Sequence, residues 1–190
     1  ARLRVALEQR LQDLANNGGP RSIVIRAGDF FGAGQGTWLD LALAKDLRRG
    51  RVTLPGPLGV PHAWAYLPDL ALTFVRVAEQ SGRLPAFAAL HFQGHTLTLG
   101  DWLAGLQTSA GPLRTQALPW PLLRVLGLVS PTLRSLCQMR YLWRRPHRLD
   151  NTALRALIGA EPHTPWNSAL RQSLQALGLT PEQALAQIER

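Results

Sequence analysis

One stretch constrains the fold of this chain more than any other: an amphipathic segment, a stop, a short apolar run and a glycine-rich loop, in that order. In residues 1–17, Leu3, Leu7, Leu11 and Leu14 share one helical face, while Arg2, Arg4, Glu8, Arg10 and Asp13 lie elsewhere, so the spacing predicts a helix. Asn16, Asn17, Gly18, Gly19 and Pro20 end it. Ser22-Ile-Val-Ile-Arg26 is short, apolar and β-branched and predicts a buried strand. A helix feeding such a strand is the rhythm of a parallel α/β sheet. In open sheets of that kind, ligands sit beyond the carboxyl ends of the strands, which here is the loop from Ala27 to Gly36. Gly28 and Gly32 permit close backbone approach or a positive φ, and Asp29 offers a carboxylate acceptor. As a phosphate loop, Gly32-Ala-Gly34-Gln-Gly36 is weak, lacking both the G-x-G-x-x-G order and a Walker lysine. On spacing alone a plain strand-to-helix turn is the better reading.

The same logic places the later elements. Thr37 is expected to cap a helix to about Arg49, with Trp38, Leu41, Ala42 and Leu47 inward. Strands are expected at 51–54, 62–67, 88–93 and 113–118, and helices at 69–80 and 101–108. Asp69 is expected as a helix N-cap rather than a catalyst. From Pro119 onward, prolines divide helical segments at 120–129, 131–143, 151–158, 165–177 and 181–189. The expected organisation is therefore a sheet-bearing part, 1–118, and a helical part, 119–190.

Composition narrows the function classes. Hydrophobic residues make up 46% of the 190 and charged residues 17%, enough for a core and too few charges for long disordered tails. The net charge is +9, yet Lys45 is the single lysine among 21 basic residues. That skew resembles a codon bias more than the mixed Lys/Arg patches of nucleic-acid binders. Between Asp101 and Asp150 there is no acid, while Arg114, Arg124, Arg134, Arg140, Arg144, Arg145 and Arg148 lie there. A solvated face, an anionic ligand, a membrane surface and an acidic partner all remain open for it. For 120–143 the open readings are a lid, a membrane-interface segment or a helical hairpin covering the sheet. A lone Cys137 excludes an internal disulfide, and the scattered histidines argue against a metal site. No run reaches the roughly 18 apolar residues of a spanning helix, so a soluble, cytoplasmic protein is expected.

Two blocks carry a family resemblance. Arg26-Ala27-Gly28-Asp29-Phe30-Phe31-Gly32-Ala33-Gly34 resembles the Arg-Pro-Gly-Asn-Val-Tyr-Gly-Pro-Gly loop of the extended short-chain dehydrogenases, the NAD-dependent epimerase/dehydratase-like proteins. Trp64-Ala-Tyr-Leu-Pro-Asp69-Leu-Ala71 is similar to that family's Tyr-Val-His-Val-Asp-Asp-Val-Ala element. The resemblance covers roughly residues 1–110, and Tyr141–Asn151 looks like the C-terminal region of some members. It implies an α/β fold: the C-terminal portion of a Rossmann-like parallel sheet with a mostly helical substrate-binding lobe. It implies NAD or NADP as cofactor, with Ala27, Gly28, Asp29 and Phe30 lining the nicotinamide end. Trp38, His62, Trp64 and Tyr66 become candidates for binding a small-molecule substrate.

The departures matter as much. The family's Gly-rich fingerprint and Tyr-x-x-x-Lys pair are absent: Tyr66 is followed four residues on by Leu70, and Tyr141 by Arg145. No catalytic residue is assigned. His62 stands where sugar-nucleotide epimerases carry an Arg. With Ala1 in place of Met, the expectation is a chain lacking its N-terminal half, inactive alone and prone to oligomerise. The parent would be an NAD(P)-dependent reductase, epimerase or dehydratase. The alternatives are a non-catalytic NAD(P)-sensing or binding protein and a basic membrane- or nucleic-acid-surface module.

Overall fold

The computed structural model describes residues 2–32 and 34–179; the helix expected at 181–189 lies outside them. Helix α1 (Arg2–Asn16) leads into β1 (Ser22–Arg26), as the opening pattern requires. β1 pairs in parallel with β5 (Phe87–His91), from Ser22 opposite Phe87 to Arg26 opposite His91. β2 (Asp29–Phe31) follows almost at once and pairs in parallel with β4 (His62–Tyr66). β6 (His95–Leu97) runs antiparallel along the other edge of β4. β3 (Arg51–Leu54) and β7 (Arg114–Ala117) form a third, parallel pair. Helices α2 (Leu67–Glu79) and α3 (Leu99–Ala110) follow β4 and β6, and α4 (Trp120–Leu126), α5 (Pro131–Gln138), α6 (Thr152–Ile158) and α7 (Trp166–Ala176) complete the described chain. The expected α/β class with parallel pairing is observed.

Strand β4 is the spine, buried at all five positions. Its alternation sends Trp64 and Tyr66 into one apolar cluster and Ala65 into another. In the first, Phe31 meets Trp102 edge-on at 5.2 Å, Tyr66 at 5.3 Å and Trp166 at 5.9 Å. That cluster draws on both sides of residue 118, since Trp120, Trp143, Leu170 and Leu174 share it with Phe31, Trp64 and Trp102. The second joins Leu70, Val77, Leu90 and Phe92 to Leu154 and Leu157.

Several expectations need correction. The run 37–49 is not one α-helix: a π-helical turn spans Leu39–Leu43 and a 3-10 turn spans Leu47–Arg49. The Ala44 N–H closes the wider turn on the Leu39 carbonyl at 2.6 Å. This turns Leu39 and Leu43 inward with Ala42 and leaves Leu41 64% exposed. Thr37 donates to Asp40 instead of capping. On α2, which starts at Leu67 rather than at the expected 69, Thr73 is buried with its hydroxyl donating to the Asp69 carbonyl, and Phe74 beside it is exposed. β2 lies within the run expected as a loop, and β6 in a stretch with no expected element; three residues are too few to show a period of two. β1 is half-buried rather than buried. Among the described residues, no strand pairs with its edge away from β5. The apolar face of α1 is open as well, with Leu3, Leu7 and Leu14 exposed.

Asp69 also departs from its expected role. It sits within α2, buried, and its carboxylate accepts from the Thr164 N–H at 2.6 Å and the Thr164 hydroxyl at 2.7 Å. Glu161 does likewise for the backbone N–H groups of Gln93 (3.0 Å) and Gly94 (2.9 Å) and for the Asn151 amide (2.8 Å). Glu161 thus ties the segment between α6 and α7 to the β5–β6 turn, and Asp69 ties the same segment to α2.

Candidate functional site

The site is built where the chain leaves β1. Gly28 is required by close approach: a Cβ there would come 2.0 Å from the Ala63 carbonyl oxygen. That contact lays β2 against β4 and brings Asp29 opposite Trp64 in register. The Asp29 Oδ2 to His62 Nε2 distance is 2.6 Å, with the imidazole almost wholly buried and the carboxylate partly open. His62 stacks on Trp143 (4.8 Å between centroids, 7° between planes) and meets His147 edge-on at 3.9 Å. The Ala63 N–H donates to His147 Nε2 at 3.4 Å. That bond requires Nε2 to be unprotonated, and burial followed by the neighbouring His62 lowers the His147 pKa, which favours the same neutral ring.

The Pro55-Gly-Pro57 corner seats the aromatic wall. A Cβ on Gly56 would come 2.6 Å from the Trp143 Cβ, so only glycine admits that indole. The Trp120 indole N–H donates to the Pro55 carbonyl at 2.9 Å. Trp143 in turn meets Trp38 edge-on at 4.8 Å.

Asp29, Phe30, Trp38, Ala42, Leu136 and Met139 line an open cleft of about 370 Å³. The sequence-predicted residues divide around it. Asp29, Phe30 and Trp38 line the cleft, and Phe30 is about half exposed. His62 reaches it through Asp29. Gly28 sets the backbone approach, and Ala27 packs toward the second apolar cluster. Trp64 and Tyr66 lie in the core, and the Tyr66 hydroxyl donates to the Gln172 side chain at 2.6 Å. Burial raises the Tyr66 pKa, with Asp69 adding to the effect. Trp143 and His147 were missed as site residues. The only sequence signal was their place in the Tyr141–Asn151 block.

At the end of the glycine loop, two backbone N–H groups are already taken by a carboxylate of this chain. The Gly36 N–H donates to one Asp40 oxygen at 2.8 Å, and the Thr37 N–H and hydroxyl donate to the other at 2.7 and 2.8 Å. Burial alone would raise the Asp40 pKa, but these bonds outweigh it and hold the carboxyl below its usual range. Among the described residues there is no cluster of His, Cys, Asp or Glu that could hold a metal ion. No helix there is long and apolar enough to cross a membrane.

No protein-family model matches the sequence, and no curated protein matches it. Solved structures do. RMD from Pseudomonas aeruginosa, complexed with NADPH, superimposes with a TM-score of 0.66 at 17% identity, over 90% of this chain and 53% of that one. UDP-glucose-4-epimerase from Stenotrophomonas maltophila, with NAD and formylated UDP-arabinopyranose, gives 0.64 at 12% identity, over 100% and 55%. UDP-glucuronic acid 4-epimerase from Bacillus cereus, with UDP-glucuronic acid and NAD, gives 0.59 at 13%, over 81% and 44%. The chain spans about half the length of the structures it matches. At these identities the likeness is one of fold, and it bears out the resemblance seen in the sequence at that level.

Proposed function

We propose that this chain forms the nicotinamide-end and substrate-side half of an NAD(P)-dependent reductase, epimerase or dehydratase, acting with a Rossmann half that supplies the other cofactor contacts and the proton donor. The observation that carries this reading is the cleft just past the carboxyl end of β1. It pairs an acceptor carboxylate, Asp29, with two available aromatic faces, Phe30 and Trp38, on a fold shared with proteins solved with NAD or NADPH. A cleft of about 370 Å³ suits a ring system with its sugar, not a whole dinucleotide. The cofactor chemistry would be hydride transfer. In this chain Asp29 would accept hydrogen bonds from the bound molecule, Phe30 and Trp38 would flank it, and His62 would hold Asp29 in place. The open edge of β1 and the exposed leucines of α1 support a second half or a second copy packing there, since apolar faces of that kind seek cover.

A second reading is a non-catalytic NAD(P)-binding role. It is favoured by Tyr66 being buried, with its hydroxyl donating to the Gln172 side chain.

The test is a titration of the chain with NADH and with NADPH, followed by NMR of the tryptophan indole and histidine ring signals. The expected result is a shift of the Trp38 and His62 signals, weakened by Phe30→Ala and Asp29→Ala. Shifts confined to other residues, or none, would overturn the placement. Reduction of carbonyl compounds by the 190-residue chain alone would refute the claim that the proton donor lies outside it.

A further inference from the structure

Apolar exposure and positive charge coincide at the tip of the α4–α5 hairpin, whose second helix lends Leu136 to the cleft. The turn between the two helices carries Leu128 and Val129, 75% and 85% exposed, and Leu122, Val125 and Leu126 on α4 are exposed as well. The turn is held firmly. Arg134 Nε donates to the Gly127 carbonyl and its Nη2 to the Leu128 carbonyl, both at 3.0 Å. The helices touch at Gly127, where a Cβ would come 3.2 Å from the Arg134 backbone. The apolar tip is therefore fixed in shape, projects into solvent, and has a guanidinium built into its base. Arg124 adds a second cation on α4, and no carboxylate occurs anywhere from residue 102 to 149.

A projecting aliphatic tip with cations and no acids matches the boundary between lipid headgroups and acyl chains, where apolar side chains insert and cations meet phosphates. The anchors of protein–protein interfaces are enriched in Trp, Tyr and Arg, whereas Leu and Val, the residues of this tip, are under-represented there. We propose that the 127–130 turn docks on an anionic phospholipid bilayer, with Leu128 and Val129 inserting and Arg124 and Arg134 facing lipid phosphates. This proposal is independent of the cofactor reading.

The experiment is co-sedimentation of the chain with phosphatidylcholine vesicles, with and without phosphatidylglycerol, at low and at raised salt. The expected result is binding to the anionic vesicles only, weakened by salt. Leu128→Asp combined with Val129→Asp should weaken it by about tenfold or more, with the thermal melt unchanged, and Arg124→Glu should weaken it alone. If the aspartate pair unfolds the chain, Val129→Trp replaces it, read as a blue shift of indole emission on anionic vesicles. Failure to bind anionic vesicles, equal binding to neutral ones, or binding indifferent to the tip variants overturns the proposal. So does a dimer, seen by light scattering, that the tip variants dissolve, since a second copy would then be the occupant.

Discussion

His95 gives this fold a built-in acid sensitivity. Its ring is 95% buried, against Phe31 (5.8 Å), His163 (4.5 Å) and Trp166 (6.0 Å), and its Nε2 has no hydrogen-bond partner. Burial first, and His163 second, push its pKa down to about 4 from 6.5. The folded chain resists a proton that the unfolded chain accepts. The stability held by neutral His95 is therefore complete above pH 6.5 and is lost as the pH falls toward 4. At 1.36 kcal/mol per pKa unit, the whole shift amounts to about 3 kcal/mol, of which more than half disappears between pH 7 and pH 5. The assay is urea unfolding at pH 7, 6 and 5, followed by tryptophan fluorescence, for the wild type and His95→Phe. Phenylalanine fills a similar volume and removes both the titration and the orphaned nitrogen. Other groups contribute equally to both chains, so the difference between the two pH slopes isolates His95. Equal slopes would refute the reasoning, as would an NMR titration of His95 near pH 6.5.

Four further outcomes follow from the geometry. Gly28→Ala should cost more than about 2 kcal/mol in chemical denaturation, because its Cβ meets the Ala63 backbone rather than a flexible side chain. Asp69→Ala should cost about 2–3 kcal/mol through the two lost bonds to Thr164, seen as a lowered urea midpoint. Glu161→Ala should speed amide exchange at Gln93 and Gly94, whose N–H groups lose their acceptor; unchanged protection there would count against that tie. Gly56→Ala should displace Trp143 from its stack on His62, read as an altered His62 ring shift.

What the sequence by itself determined was local. The periodicity of 1–17, the stop at Asn16–Pro20 and the apolar run 22–26 led to α1 and β1. The alternation at 62–67 led to β4, because helix and strand periods are properties of neighbouring residues. The resemblance of Arg26–Gly34 marked the loop that does border the cleft. Tertiary structure decided the rest. β2 and β6 exist as strands because β4 offers each an edge, which three-residue segments cannot announce. Trp64 and Tyr66 went to the core because one face of β4 meets Phe31 and Trp102, a matter of which layer covers which face. Asp29 and His62 stand 33 positions apart, and Trp143 and His147 come later still; only the parallel pairing of β2 with β4 and the glycine corner at Gly56 bring them together. The strand-end loop was legible because its signal lies in adjacent residues. The pairing of Asp29 with His62 and the stacking of Trp143 on that ring were not, because nothing local couples positions that meet only when the sheet has formed.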